Sequence, residues 1–273
     1  MARIIILGGH GKIARLATPK LVAAGHEVTS VVRKSEQVPT IESLGATAVV
    51  ADLNGRDAKS FAKLFAAQDI VVWSAGAGGG SPELTYAIDR DAAIASMSGA
   101  AEAGLKRYVM VSYFGASLAH GLSSDHSFYP YAQSKAEADK ALRDSDLDWT
   151  VLGPSALTDD PATGAIEVQG ADGRVGTELE NDSVSRDDVA SVIVAAVDRD
   201  DLIGHTVNFN NGTSSIPEAF DSLLAELTPT GPSSRVMTSS PPQVRSCGGE
   251  SMSRAPLISE TSSNCGVPVT RLL

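Results

Sequence analysis

Cysteine is nearly missing from this chain: its 273 residues hold two, Cys247 and Cys265, both near the C-terminus, so no disulfide framework supports the rest. Long apolar runs are missing as well. The stretch "RIIIL" at residues 3–7 runs straight into glycines, which is too short for a secretory signal and far below the ~20 residues of a membrane span. Positive charge is scarce, and the net charge of −11 argues against sequence-independent nucleic-acid binding, because phosphates would be repelled. Histidines are few, and His10, His120 and His126 belong to no short-range His/Asp/Glu cluster, so no metal site is expected. These absences leave a cytoplasmic globular protein acting on a small molecule, with neither nucleic acid nor membrane as partner. Its 42% hydrophobic content suits such a core.

What the chain does contain is alternation. Apolar runs at 3–7, 27–33, 46–52, 69–75, 106–112 and 147–153 read as strands. Helical patterns at 12–24, 35–44, 57–67, 84–103 and 130–144 separate them, the first, second and fourth being followed by Gly25, Gly45 and Gly104. Val/Ile runs between helices signal parallel strands covered on both faces, hence a doubly wound α/β sheet. Residues 1–227 form the expected domain, with its substrate part mainly in 153–227. That part holds a hairpin (164–179), a helix starting at Ser185–Asp188, a strand "TVNFN" and a last helix, 217–227. From Thr228 onward Ser, Pro, Gly and Thr dominate and four Arg face two Glu, so 228–273 reads as a disordered tail, with a reading-frame shift as one origin.

The loop "GGHGKIA" follows the first strand. A triphosphate-binding loop needs Gly-Lys-Ser/Thr, and Ile13 follows Lys12 here, so that reading fails. Gly8, Gly11 and Ala14 instead give G-x-x-G-x-x-A between strand and helix. This suits a tight turn, a close approach to a dinucleotide's diphosphate, and close helix packing. The expected cofactor loop is thus Gly8, Gly9, His10, Gly11, Lys12 and Ile13, the alternative being a turn that holds nothing. Arg33 follows the second strand, where an acid would select NAD and a basic group suits a 2′-phosphate. With Lys34 beside it, it points to NADP(H) over NAD(H), the alternative being a solvated basic pair. Asp52 and Leu53 are expected beside the adenine, with Ala75 and Gly76 closing the fourth strand.

"YAQSK" places Tyr131 and Lys135 one helical turn apart. A lysine near a phenol is expected to lower its pKa and make it an acid or base near neutral pH. Ser112 ends strand "YVMVS" and is expected to bond the substrate carbonyl, and His126 is kept as a substrate contact. The pieces "GGHGKIA", "VVR", "ADL", "SAGAG", "KRYVMVS", "YAQSKAEAD", "VLGPSALTD" and "VSRDDVA", in this order, resemble an atypical short-chain dehydrogenase/reductase of the NAD(P)-binding, NmrA-like and epimerase-like group. The resemblance implies a Rossmann domain with cofactor contacts from Gly8, Gly11, Ile13, Arg33, Asp52, Ala75 and Gly76. It also implies a Ser112/Tyr131/Lys135 centre in which Lys135 bonds the nicotinamide ribose. Gly153-Pro154 matches, in reversed order, a Pro-Gly turn beside the nicotinamide. The implied activity is an NAD(P)H-dependent oxidoreductase with a small carbonyl, quinone or flavin-like acceptor and Tyr131 as proton donor. The alternatives are a non-catalytic NAD(P)-binding sensor and an NAD-dependent epimerase or dehydratase. Helices 84–103 and 130–144 are candidates for pairing two subunits, leaving monomer or homodimer.

Overall fold

The computed structural model describes residues 1–79, 81–170 and 179–227. Strands β1 (Arg3–Leu7), β2 (Glu27–Val32), β3 (Thr47–Val50), β4 (Ile70–Trp73), β5 (Arg107–Val111), β6 (Asp148–Pro154), β8 (Ala165–Gly170), β10 (His205–Asn211) and β11 (Ser214–Ser215) form one sheet, ordered β11-β8-β10-β6-β5-β4-β1-β2-β3. From β3 to β10 every pairing is parallel, and β8 then adds antiparallel to both β10 and β11. Two short strands, β7 (Ala156–Thr158) and β9 (Ser183–Ser185), pair apart from it. The helices are α1 (Lys12–Ala23), α2 (Val38–Ser43), α3 (Ala58–Phe65), α4 (Pro82–Thr85), α5 (Ala93–Glu102), α6 (Tyr129–Arg143), α7 (Arg186–Val197) and α8 (Ile216–Leu227).

Strand alternation explains the two cores. Ile4 and Ile6 of β1 join Ala17 and Leu21 of α1 and Val189 and Ile193 of α7 on one face. Ile5 and Leu7 join Phe61 and Phe65 of α3, Met97 of α5 and Leu142 of α6 on the other. A parallel sheet covered on both sides needs apolar residues at successive positions, which is why the strands read as continuous runs. The α3–α5 contact is unusually close. A Cβ on Gly99 would lie 2.4 Å from the Phe61 Cβ and 2.7 Å from the Ala58 carbonyl oxygen.

Two expected elements differ. The helix expected at 84–103 is broken in character: α4 leads into a π-helical stretch, Tyr86–Ala92, before α5 resumes. Its wider turn carries Asp89, whose Oδ2 accepts the Ala77 N–H at 2.9 Å. The hairpin expected at 164–179 is represented by β8, whose partners are β10 and β11; residues 171–178 lie outside the described residues. The expected tail, 228–273, also lies outside them. Among the described residues no helix is long and apolar enough to cross a membrane, and no group of three His, Cys, Asp or Glu is arranged to hold a metal.

Candidate cofactor and catalytic site

The strand order reverses between β1 and β4, and ligands of open α/β sheets bind at that point beyond the strands' carboxyl ends. Two cavities meet there, sharing Gly11 and Ser74–Ala77. One, of about 330 Å³, is lined by Gly8, His10, Arg33, Asp52 and Leu53, among others. The other, of about 590 Å³, is lined by Lys12, Ile13, Asp89, Ser112, Tyr131, Lys135, Pro154 and Arg186, among others.

The loop between them suits a diphosphate. Gly8 has φ +83°, and a Cβ there would meet the Ala75 Cα at 2.6 Å, so only glycine lets β1 close on the end of β4. A Cβ on Gly11 would approach the Gly8 carbonyl at 3.1 Å. Gly11 begins α1 without any side-chain cap, whereas Asp57, Ser81 and Ser185 cap α3, α4 and α7. The first N–H groups of α1 therefore remain for an anion, in the partial positive field of the helix. The glycine cradle and the two adjoining cavities have the chemistry to hold a dinucleotide.

Three residues expected at the cofactor do not line either cavity. Gly9 gives its N–H to the Val31 carbonyl at 2.8 Å, and a Cβ on it would meet the Ser30 Cβ at 2.6 Å. Its lack of a side chain serves packing. Gly153 likewise makes room for Asn208, whose Oδ1 would lie 2.3 Å from an added Cβ. Lys34 is exposed beyond the end of β2. His126 is also exposed, and its Nδ1 accepts the Phe128 N–H at 3.1 Å.

The catalytic cluster departs from expectation in its electrostatics. Lys135 is buried, and its Nζ donates to the Val111 carbonyl at 2.8 Å. Ser112 Oγ donates to Asp139 Oδ2 at 2.5 Å, so its proton is turned inward toward helix α6. Asp139 Oδ1 is buried without a hydrogen-bond partner. Burial raises the pKa of Asp139, with the charge of Lys135 opposing; burial likewise raises Asp89, again opposed by Lys135. The lysine expected to lower the Tyr131 phenol thus faces two carboxyl groups instead. Burial raises the Tyr131 pKa well above the ordinary phenol value, and Asp89, Tyr113 and Asp139 add to the rise. The expectation of a lowered phenol pKa is corrected: the hydroxyl keeps its proton at neutral pH. Its ring packs 5.5 Å from Tyr113 and 5.1 Å from Phe128, centroid to centroid, giving the larger cavity an aromatic wall.

Asp89, Asp139 and Arg186 went unread in the sequence. The available signal for Asp139 was its place four residues beyond Lys135 and eight beyond Tyr131, on one helical face. Asp89 and Arg186 carry no comparable spacing.

The chain belongs to a family described as NAD(P)H-binding, whose model matches residues 8–200. Its relatives include a Bacillus subtilis protein named "Uncharacterized sugar epimerase YhfK", 32% identical over 224 residues that cover 81% of this chain and all of the relative. A solved structure from Bacillus halodurans, named as a candidate NAD-dependent epimerase/dehydratase, is 33% identical with a TM-score of 0.73, covering 82% of this chain and all of that one. The Lactococcus lactis oxidoreductase ylbE is 28% identical with a TM-score of 0.71, covering 82% and 97%. The oxidoreductase-like and epimerase-like character of the family agrees with the expected Rossmann-type domain.

Proposed function

We propose that the protein is an NADPH-dependent reductase of a small, flat acceptor: a carbonyl compound, a quinone or a flavin-like ring. The observation that carries this reading is that Tyr131 and Lys135 line one cavity with Gly11, Lys12 and Ile13 of the glycine loop, the Tyr131 pKa being raised by burial. When bound, the nicotinamide supplies the hydride. Tyr131 then serves as the proton donor to the acceptor oxygen, since a phenol with a raised pKa releases a proton only to a strongly basic, developing alkoxide. Lys135, whose Nζ donates to the Val111 carbonyl, would bond the sugar that carries the nicotinamide. Phe128 and Tyr131, with Tyr113 packed against both, offer the cavity planar apolar surface against which a ring stacks.

One feature supports NADPH over NADH. Arg33 lines the adenosine cavity, and its guanidinium makes no hydrogen bond or ion pair with any described residue. The epimerase reading suggested by the relatives' names asks Tyr131 to act first as a base, which its raised pKa opposes. Replacing Tyr131 by Phe should cut NADPH turnover with a panel of quinones and aldehydes about a hundredfold or more while leaving NADPH binding intact. Full turnover in that variant would remove Tyr131 from the chemistry, and NADPH binding without turnover in the unaltered protein would favour the sensor.

A further inference from the structure

At the mouth of the larger cavity, one carboxylate holds two cations from distant parts of the chain. Asp159 accepts from Lys12 Nζ at 2.8 Å through Oδ2 and from Arg186 Nη1 at 2.7 Å through Oδ1. Lys12 opens α1 directly after the glycine loop, and Arg186 opens α7. Both cations line the cavity, whereas Asp159 does not. The two helices pack against each other, and Asp159 bridges the first residue of one to the first residue of the other.

We infer that Asp159 is a built-in stand-in for the cofactor's diphosphate: the bound dinucleotide displaces it and is gripped by Arg186 together with Lys12. This rests on the reading of the cleft as a dinucleotide site. Two oxygens of one carboxylate already span the cations, the spacing that two non-bridging phosphate oxygens require. The exchange is cheap, because Asp159 and Lys12 are more than half exposed and solvent screens such pairs. Arg186 is the more buried partner, and its planar fork favours a phosphate over a single carboxylate oxygen. Lys12 and Arg186 hold the pKa of Asp159 below the usual carboxylate range, so the stand-in remains charged and the cations stay in place while no ligand is bound. In a chain of net charge −11, such a preformed pair also offsets the general repulsion of a phosphorylated ligand.

The test is equilibrium binding to the full chain of three probes: NADPH, ADP-ribose and adenosine 2′-monophosphate. Arg186→Gln should weaken NADPH and ADP-ribose about tenfold, the worth of a charge-assisted bond, and leave the monophosphate within twofold. Asp159→Asn should tighten NADPH and ADP-ribose about threefold by removing the competitor, a gain that misfolding cannot produce. Unchanged affinities in both variants would overturn the inference. Equal weakening of the monophosphate by Arg186→Gln would also overturn it, since a general field rather than contact with the diphosphate would then be at work. If the unaltered protein bound neither NADPH nor ADP-ribose, the cofactor reading itself would fail first.

Discussion

Ser112 Oγ donates to Asp139 Oδ2 at 2.5 Å, joining the end of the fifth strand to the helix that carries Tyr131 and Lys135. The serine is therefore a support of the lysine's surroundings before it is a substrate contact. Ser112→Ala strips Asp139 of its only side-chain hydrogen bond among the described residues and leaves a fully buried carboxyl unsatisfied. The expected loss is about 1–3 kcal/mol of stability, read from urea denaturation. A variant as stable as the parent would mean that Asp139 is protonated or solvated without the serine.

The stability contributed by Asp139 and Asp89 should fall as pH rises above the ordinary carboxylate pKa. Asp139 and Asp89 both have raised pKa values in the folded chain, chiefly from burial. The native state therefore holds protons that the unfolded state releases, so their contribution is complete below the ordinary carboxylate pKa of about 4 and is lost as pH climbs through the raised folded values. Asp139→Asn should flatten this part of the profile of melting temperature against pH. An unaltered slope would show that Asp139 does not titrate there.

Arg33 decides between the two nicotinamide cofactors if it meets the 2′-phosphate. Arg33→Ala should raise the Kd for NADPH about tenfold or more and leave NADH nearly unchanged. Fluorescence titration of both cofactors reads the difference. Equal losses would place the guanidinium elsewhere.

Gly99 marks a closer contact than its sequence context suggests. Adding one carbon there would press on the Phe61 side chain and on the backbone of α3, which cannot rotate away. Gly99→Ala should cost about 1–3 kcal/mol despite the higher helix propensity of alanine. An alanine variant of unchanged stability in urea would show that α3 shifts freely.

The parallel direction of the strands was legible because a sheet covered on both faces takes mostly apolar residues along β1, β4 and β5. Gly8 and Gly11 were legible for a related reason, since a glycine pair between strand and helix has few other uses. The neighbouring Gly9 and Gly153 show the limit of that logic. Their missing side chains accommodate Ser30 and Asn208, partners contributed by other strands and visible only after folding. The buried acids were hidden more thoroughly. Asp89 and Asp139 sit in polar helical sequence that reads as a solvated face, and burial comes from what packs over them. Burial, with the two acids adding to it, reversed the expected pKa shift of Tyr131, and helical spacing alone said nothing about either.

The reversal of strand order between β1 and β4 has a consequence for the life of the protein. The crevice there divides the first three strands from the later ones, so a coenzyme lying across it is a tether between the two portions of the chain. Any ligand favouring the native form adds resistance to unfolding, about 2.7 kcal/mol at a hundred times its Kd. A nicotinamide coenzyme bound there would couple the abundance of the folded molecule to its own supply, and its loss would shorten the molecule's persistence.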